Sequence, residues 1–205
     1  MNLSPGRFRI PFLIALLLAS CSPSPQLPLL APDAVILAFG DSLTHGTGAG
    51  SEKQSYPAVL AALSGHRVIN AGIPGEISSA GLARLTGVLD EEQPSLLLLC
   101  HGGNDILQKL DLQKTESNLR AMIREAQSRG IAVVLIGVPR PGLLLGTADL
   151  YKSIAADMKL PFEDETLAEI LSQRKLKADR VHPNAAGYRQ LAESVLALLK
   201  KHGAL

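Results

Sequence analysis

Val35-Ile36-Leu37-Ala38-Phe39-Gly40-Asp41-Ser42-Leu43-Thr44 decides how the rest of this chain is read. Its apolar run lacks polar alternation, which fits a strand buried on both faces of a helix-covered parallel sheet. The run stops at Gly40, and the chain turns through Asp41 and Ser42, leaving a hydroxyl exposed at the strand's end. The same alternation recurs outward from this point. Helical spacing over 56–63 stops at Gly65, a second short strand fits 67–70, and a second helix fits 79–89. Leu96-Leu97-Leu98-Leu99-Cys100 is continuously apolar, and Gly102-Gly103 follow it. Residues 115–128 are helical with Gly130 as a stop, 131–138 form the most β-branched segment, and 164–171 and 185–200 complete the helices. Helices between buried strands imply right-handed parallel crossovers, hence a three-layer α/β/α sandwich with one domain over 33–205.

Composition narrows the function classes. The chain has 205 residues, 46% hydrophobic and 19% charged, which suits one globular domain and excludes a disordered one. Twenty basic residues against nineteen acidic, seven aromatics and no Trp argue against a nucleic-acid partner. A small-molecule substrate and a monomer are expected.

The N-terminus reads differently from the domain. Arg7 and Arg9 precede the apolar run 11–19, too short for a bilayer span of roughly 20 residues, and Leu18-Ala19-Ser20-Cys21 follows. This order is similar to a bacterial lipoprotein signal over 1–20, with Cys21 lipidated and the protein anchored to the cell envelope on the periplasmic side, at the outer membrane by the rule that Ser22 suggests. Residues 21–32, rich in proline, are expected to tether the domain. Processing removes two Arg and no acid, leaving 18 basic against 19 acidic residues. Cys100 then has no partner, and no disulfide is expected.

Ligands bind outside the carboxyl ends of strands in such sheets, so the polar residues after each strand are the candidates. They are Gly40-Asp41-Ser42-Leu43-Thr44, then Asn70 through Glu76, then His101-Gly102-Gly103-Asn104-Asp105 and, before the last helix, Asp179-Arg180-Val181-His182-Pro183-Asn184. A serine nucleophile needs a base, and the base needs an orienting acceptor. Ser42, His182 and Asp179 can supply these roles, with Asp and His three residues apart on one turn. The N–H groups of Ser42 and Gly75 and the amide of Asn104 are the natural oxyanion donors.

These four blocks resemble the SGNH (GDSL) hydrolase family, in order and over nearly all of the chain from about residue 34. Gly81-Leu82-Ala83-Arg84-Leu85 and Gly102-Gly103-Asn104-Asp105 look most like its bacterial periplasmic thioesterase, arylesterase and lysophospholipase branch. The resemblance implies a flavodoxin-like sheet and metal-free, cofactor-free hydrolysis of carboxylic esters or thioesters through an acyl-serine. Two features depart from the pattern: Cys100-His101 ahead of the third block, and Gly137 through Leu145 in place of a polar loop. Leu143, Leu144 and Leu145 are therefore expected to form an apolar acyl-binding lip.

The other polar residues read as structural. Asp41 and Asp105 pin their loops, Asn70 tethers the second loop, His45 and His101 are hydrogen-bonded neighbours, and His66 and His202 lie on the surface. No Cys or carboxylate stands at metal-ligand spacing from His45 or His101, so no zinc site is expected. Two other functions fit parts of the pattern: deacetylation of an envelope glycan by the same triad, and a non-catalytic or nucleotide-binding lipoprotein using the loop 46–50. That loop has neither the dinucleotide nor the P-loop spacing, and this second option leaves the Ser-His-Asp set unexplained.

Overall fold

A computed structural model describes residues 25–140, 142 and 146–205. The sequence 1–24 and Pro141, Leu143, Leu144 and Leu145 lie outside the described residues, so the signal, Cys21 and the acyl lip do too. The first strand, β1 (Val35–Gly40), is buried along all but its first residue. After it come α1 (Ser42–His45), α2 (Tyr56–Ser64), β2 (Arg67–Gly72), α3 (Ser78–Glu92), β3 (Leu96–Cys100), α4 (Gly103–Leu107) and α5 (Leu112–Ser128). The remainder is β4 (Ala132–Ile136), α6 (Asp149–Met158), β5 (Phe162–Glu163), α7 (Thr166–Ser172) and α8 (Ala185–Lys201).

Every strand pair is parallel, in the order β2-β1-β3-β4-β5. β3 is buried at all its positions, because helices cover both faces: α2, α7 and α8 pack together on one side, and α3, α5 and α6 on the other. The chain leaves β1 toward β2, then crosses back past β1 to β3. Neighbouring loops therefore diverge at the carboxyl ends of β1 and β3, which is where an open α/β sheet forms its crevice. Ser42 follows β1, and Asn104 follows β3.

Several features differ from the sequence reading. α6 and β5 were not anticipated. α6 has no side-chain cap at Ala148, and its end at Lys159 is left-handed without glycine, so the usual start and stop signals are missing. β5 is two residues long, below the length at which periodicity can be read. The helix expected at 164–171 starts at Thr166, where buried Glu163 accepts from the Thr166 N–H (3.2 Å) and hydroxyl (2.5 Å). The C-terminal part of the expected tether is not free. Leu27 and Leu30 donate backbone hydrogen bonds to His202 and Ala204 and are buried, and His202, expected on the surface, is buried with Nδ1 against the Pro25 carbonyl.

Candidate active site

Ser42 sits on the first turn of α1, directly beyond β1. Asp41 caps that turn by accepting the Leu43 N–H at 3.0 Å, and Tyr188 of α8 donates to the Thr47 carbonyl at 2.8 Å. Asp41 is fully buried, and desolvation raises its carboxyl above the ordinary range despite the opposing influence of His101 and the Leu43 N–H. Its position is that of a cap, in agreement with a loop-pinning role.

His182 and Asp179 arrive from the far end of the sequence, on the loop before α8. The Asp179 side chain folds back on its own turn, with Oδ1 accepting from the N–H groups of Val181 (2.8 Å) and His182 (2.9 Å). Asp179 Oδ2 meets His182 Nδ1 at 2.8 Å, and His182 Nε2 meets Ser42 Oγ at 3.0 Å. Burial works against the Asp179 carboxylate, but the Val181 N–H and the His182 contacts outweigh it and hold its pKa below the usual value. With Nδ1–H given to the ionised acid, Nε2 is left as an acceptor for the serine proton. An imidazole so placed can take that proton, and the carboxylate stabilises the cation that results.

The loop 46–50 braces this arrangement. Gly48 has φ +92°, and a Cβ there would lie 2.7 Å from the Pro183 carbonyl oxygen and 2.8 Å from the Ala178 Cβ. Gly48 thus lets the loop press against the Asp179–Pro183 turn, while Gly46 lies close against Ser55.

Asn104 opens α4 beside the cleft. One hydrogen of its Nδ2 goes to the Glu76 carbonyl at 3.0 Å, which leaves the other N–H for the cleft. Gly75 is exposed, and its N–H donates to no group among the described residues. Asp105 is buried and accepts from the Ser78 N–H (2.8 Å), the Ser78 hydroxyl (2.6 Å) and Thr115 (3.2 Å), so it joins α3, α4 and α5. Asn70 donates to the His45 carbonyl at 3.3 Å and accepts the Gly72 N–H at 3.0 Å.

The cleft beside Ser42 and His182 is walled by Leu43, Leu107, Val138, Pro139 and Leu171, with Asn104 and Arg180 at its polar edge. Its apolar walls suit a hydrocarbon chain, and Val138 and Pro139 lead directly into the segment that carries Leu143, Leu144 and Leu145. Among the described residues no three His, Cys, Asp or Glu side chains gather where they could hold a metal ion. Sequence reasoning missed the partners of Glu76. This side chain is buried, and both Arg84 and His101 converge on it. The signal was present in the Gly81-Leu82-Ala83-Arg84-Leu85 run, but that run does not reveal what Arg84 reaches.

Comparison with known proteins places the geometry in context. The model of the GDSL-like Lipase/Acylhydrolase family matches residues 38–190. The Esterase TesA of Pseudomonas aeruginosa is 33% identical over 199 residues, which span 91% of this chain and 98% of that protein. The Thioesterase 1/protease 1/lysophospholipase L1 of Escherichia coli is 30% identical over 186 residues, covering 87% of this chain and 85% of its own length. Among solved structures, the SGNH-hydrolase family esterase AlinE4 superposes with a TM-score of 0.64 at 33% identity, over 84% of this chain and 97% of that one.

Proposed function

The chain belongs to the GDSL-like lipase/acylhydrolase family and is a carboxylic ester hydrolase, and from that premise we propose that Ser42, His182 and Asp179 carry out a two-step hydrolysis of acyl esters or thioesters. The observation that carries this reading is the unbroken contact from Ser42 Oγ to His182 Nε2 (3.0 Å) and from His182 Nδ1 to Asp179 Oδ2 (2.8 Å).

In the first step Ser42 Oγ bonds to the carbonyl carbon, and its proton moves to His182 Nε2. The carbonyl oxygen becomes an oxyanion, held by the N–H groups of Ser42 and Gly75 and by the free N–H of Asn104. The tetrahedral species collapses, the bond to the leaving oxygen or sulfur breaks, and His182 returns the proton to that group. In the second step water gives its proton to His182 and attacks the acyl-Ser42 carbonyl. The acid leaves, and Ser42 recovers its proton. Asp179 remains ionised throughout and fixes the ring.

The apolar walls of the cleft support an acyl chain as the group bound. The relatives' names, esterase and thioesterase/lysophospholipase, support the same range of leaving groups. For location, the basic start, apolar run and Cys21 support a lipid-anchored protein of the bacterial envelope. Metabolic labelling with a palmitate analogue, lost in Cys21→Ser, tests that anchor.

A p-nitrophenyl ester series of increasing chain length, run with wild type and Ser42→Ala, tests the function. Turnover by wild type that rises from acetate to medium chains and vanishes in the variant is the expected result. A preference confined to acetate, extended to acetylated sugars, would instead favour the glycan deacetylase; retained turnover in Ser42→Ala would refute the mechanism.

A further inference from the structure

Below the oxyanion side of the cleft lies a charged cluster that the reaction does not touch. The Glu76 carboxylate is clamped from two directions. Arg84 of α3 donates to it twice, Nε to Oε1 at 2.7 Å and Nη2 to Oε2 at 2.8 Å. His101, at the end of β3 and fully buried, places Nε2 3.0 Å from Oε2. The His101 Nδ1 accepts the Gly102 N–H at 2.8 Å, so the ring hydrogen sits on Nε2 and points at the carboxylate. Burial alone would raise the Glu76 carboxyl, but the hydrogen bonds from Arg84 and His101 hold it below the ordinary carboxylate range.

The cluster is tied to the ends of the strands that carry the site. Arg84 also donates to the carbonyls of Ala71 (2.8 Å) and Gly40 (3.3 Å), and its guanidinium lies 3.9 Å over the Phe39 ring. Tyr151 donates to the His101 carbonyl at 2.7 Å. Gly81 is needed for the ring to fit, since a Cβ there would come within 2.3 Å of His101 Nε2. Glu76 itself connects to two of the three proposed oxyanion donors: its carbonyl accepts from Asn104 Nδ2, and its own peptide follows Gly75.

We propose that His101 and Arg84 are positioning residues for the oxyanion donors, acting through Glu76. Fixing the Glu76 side chain fixes its backbone, and that backbone sets both where the Asn104 amide points and where the Gly75 N–H stands. The inference rests on the oxyanion roles proposed above. It also gives the Gly81-Leu82-Ala83-Arg84 run a physical purpose: Gly81 makes room for the ring, and Arg84, three residues later on the same helix face, reaches the shared carboxylate.

The test compares His101→Leu, His101→Gln and Gly81→Ala with wild type, measuring kcat and KM on p-nitrophenyl acetate and the affinity for a boronic acid that mimics the tetrahedral anion. Misplaced donors weaken the transition state and leave ground-state binding alone. His101→Leu and Gly81→Ala should therefore lower kcat by about 10- to 100-fold and weaken boronate binding by a similar factor, with KM within about twofold. His101→Gln retains an N–H for Glu76 and should recover most of the loss. If His101→Leu does not fold, Gly81→Ala gives the same readings. Folded variants that keep wild-type kcat and boronate affinity, or that lose activity through KM alone, would overturn the proposal. Ser42→Ala separates the two claims: if it stays active, the hydrolytic mechanism fails; if it is inactive, the ratios above judge the clamp alone.

Discussion

The two halves of the site are built in different ways. The nucleophile and oxyanion half stands on the ends of β1 and β3, above buried polar groups: Asp41, Glu76, His101 and Asp105 are each less than a tenth exposed. Several of their bonds cross long sequence distances, from Glu76 to His101 and from Ser78 to Asp105. The acid–base half is a loop. The Asp179 side chain is 53% exposed, and its hydrogen bonds reach only two and three residues ahead. The loop closes on itself through the Ala178 N–H to the His182 carbonyl and the Lys177–Pro183 bridge, and it is tied to the body by the Lys177 ammonium on the Leu171 carbonyl (2.7 Å) and by the close approach of Gly48. Stability and catalysis should therefore separate: damage to the buried half should lower both, whereas damage to the loop should lower activity while leaving the fold nearly intact.

Asp179→Asn gives the sharpest form of that separation. It removes the charge that orients His182, and kcat should fall by about 10³- to 10⁴-fold. Because the acid is exposed and its other bonds are local, the melting temperature should barely move. A large drop in melting temperature would break the comparison. Next in size, Asn104→Ala removes a proposed oxyanion donor and should lower kcat by about 10²- to 10³-fold with KM little changed; kinetics on one ester would check it. Gly48→Ala follows. Its Cβ would collide with the Pro183 carbonyl and press the base loop outward, so about a tenfold loss of kcat is expected, with pocket binding of a ground-state analogue preserved.

Glu76→Gln should have the largest effect on stability among these and should lower kcat as well, because it weakens the clamp behind the proposed oxyanion donors. Loss of a buried, charge-assisted pair should cost about 1–3 kcal/mol. Arg84 and His101 hold the Glu76 carboxyl of the folded protein below the ordinary glutamate value of 4.5, so its contribution is fully present above that value and is lost as pH falls through the lower, folded one. The gap in melting temperature between wild type and variant should thus be constant above 4.5 and close below it. A gap that widens in acid would contradict the sign.

The same contrast explains what could be read from the sequence. Buried strands announce themselves: the apolar runs of β1, β3 and β4 are visible because water is excluded from both faces. Ser42, Asp179 and His182 could be proposed from the sequence because a nucleophile, a base and its partner must be of particular residue types after particular strands, and the structure brings the three side chains within hydrogen-bond reach. α6 was missed despite buried Leu150, Tyr151, Ile154 and Ala155, since neither of its ends carries a capping side chain or a glycine. The Glu76 clamp was invisible for another reason. Glu76 and His101 are 25 residues apart, and only the pairing of β2 and β3 around β1 brings their loops together. A histidine at that position reads as an ordinary neighbour until its ring is placed.

Reaction with a fluorophosphonate, followed by peptide mapping of the adduct, tests the central claim most directly. An activated serine held 3.0 Å from His182 Nε2 should be phosphonylated at Ser42, with one adduct per chain and parallel loss of ester turnover, and His182→Ala should remain unlabelled. An adduct on another residue, or full turnover by a protein that the reagent leaves unmodified, would contradict it.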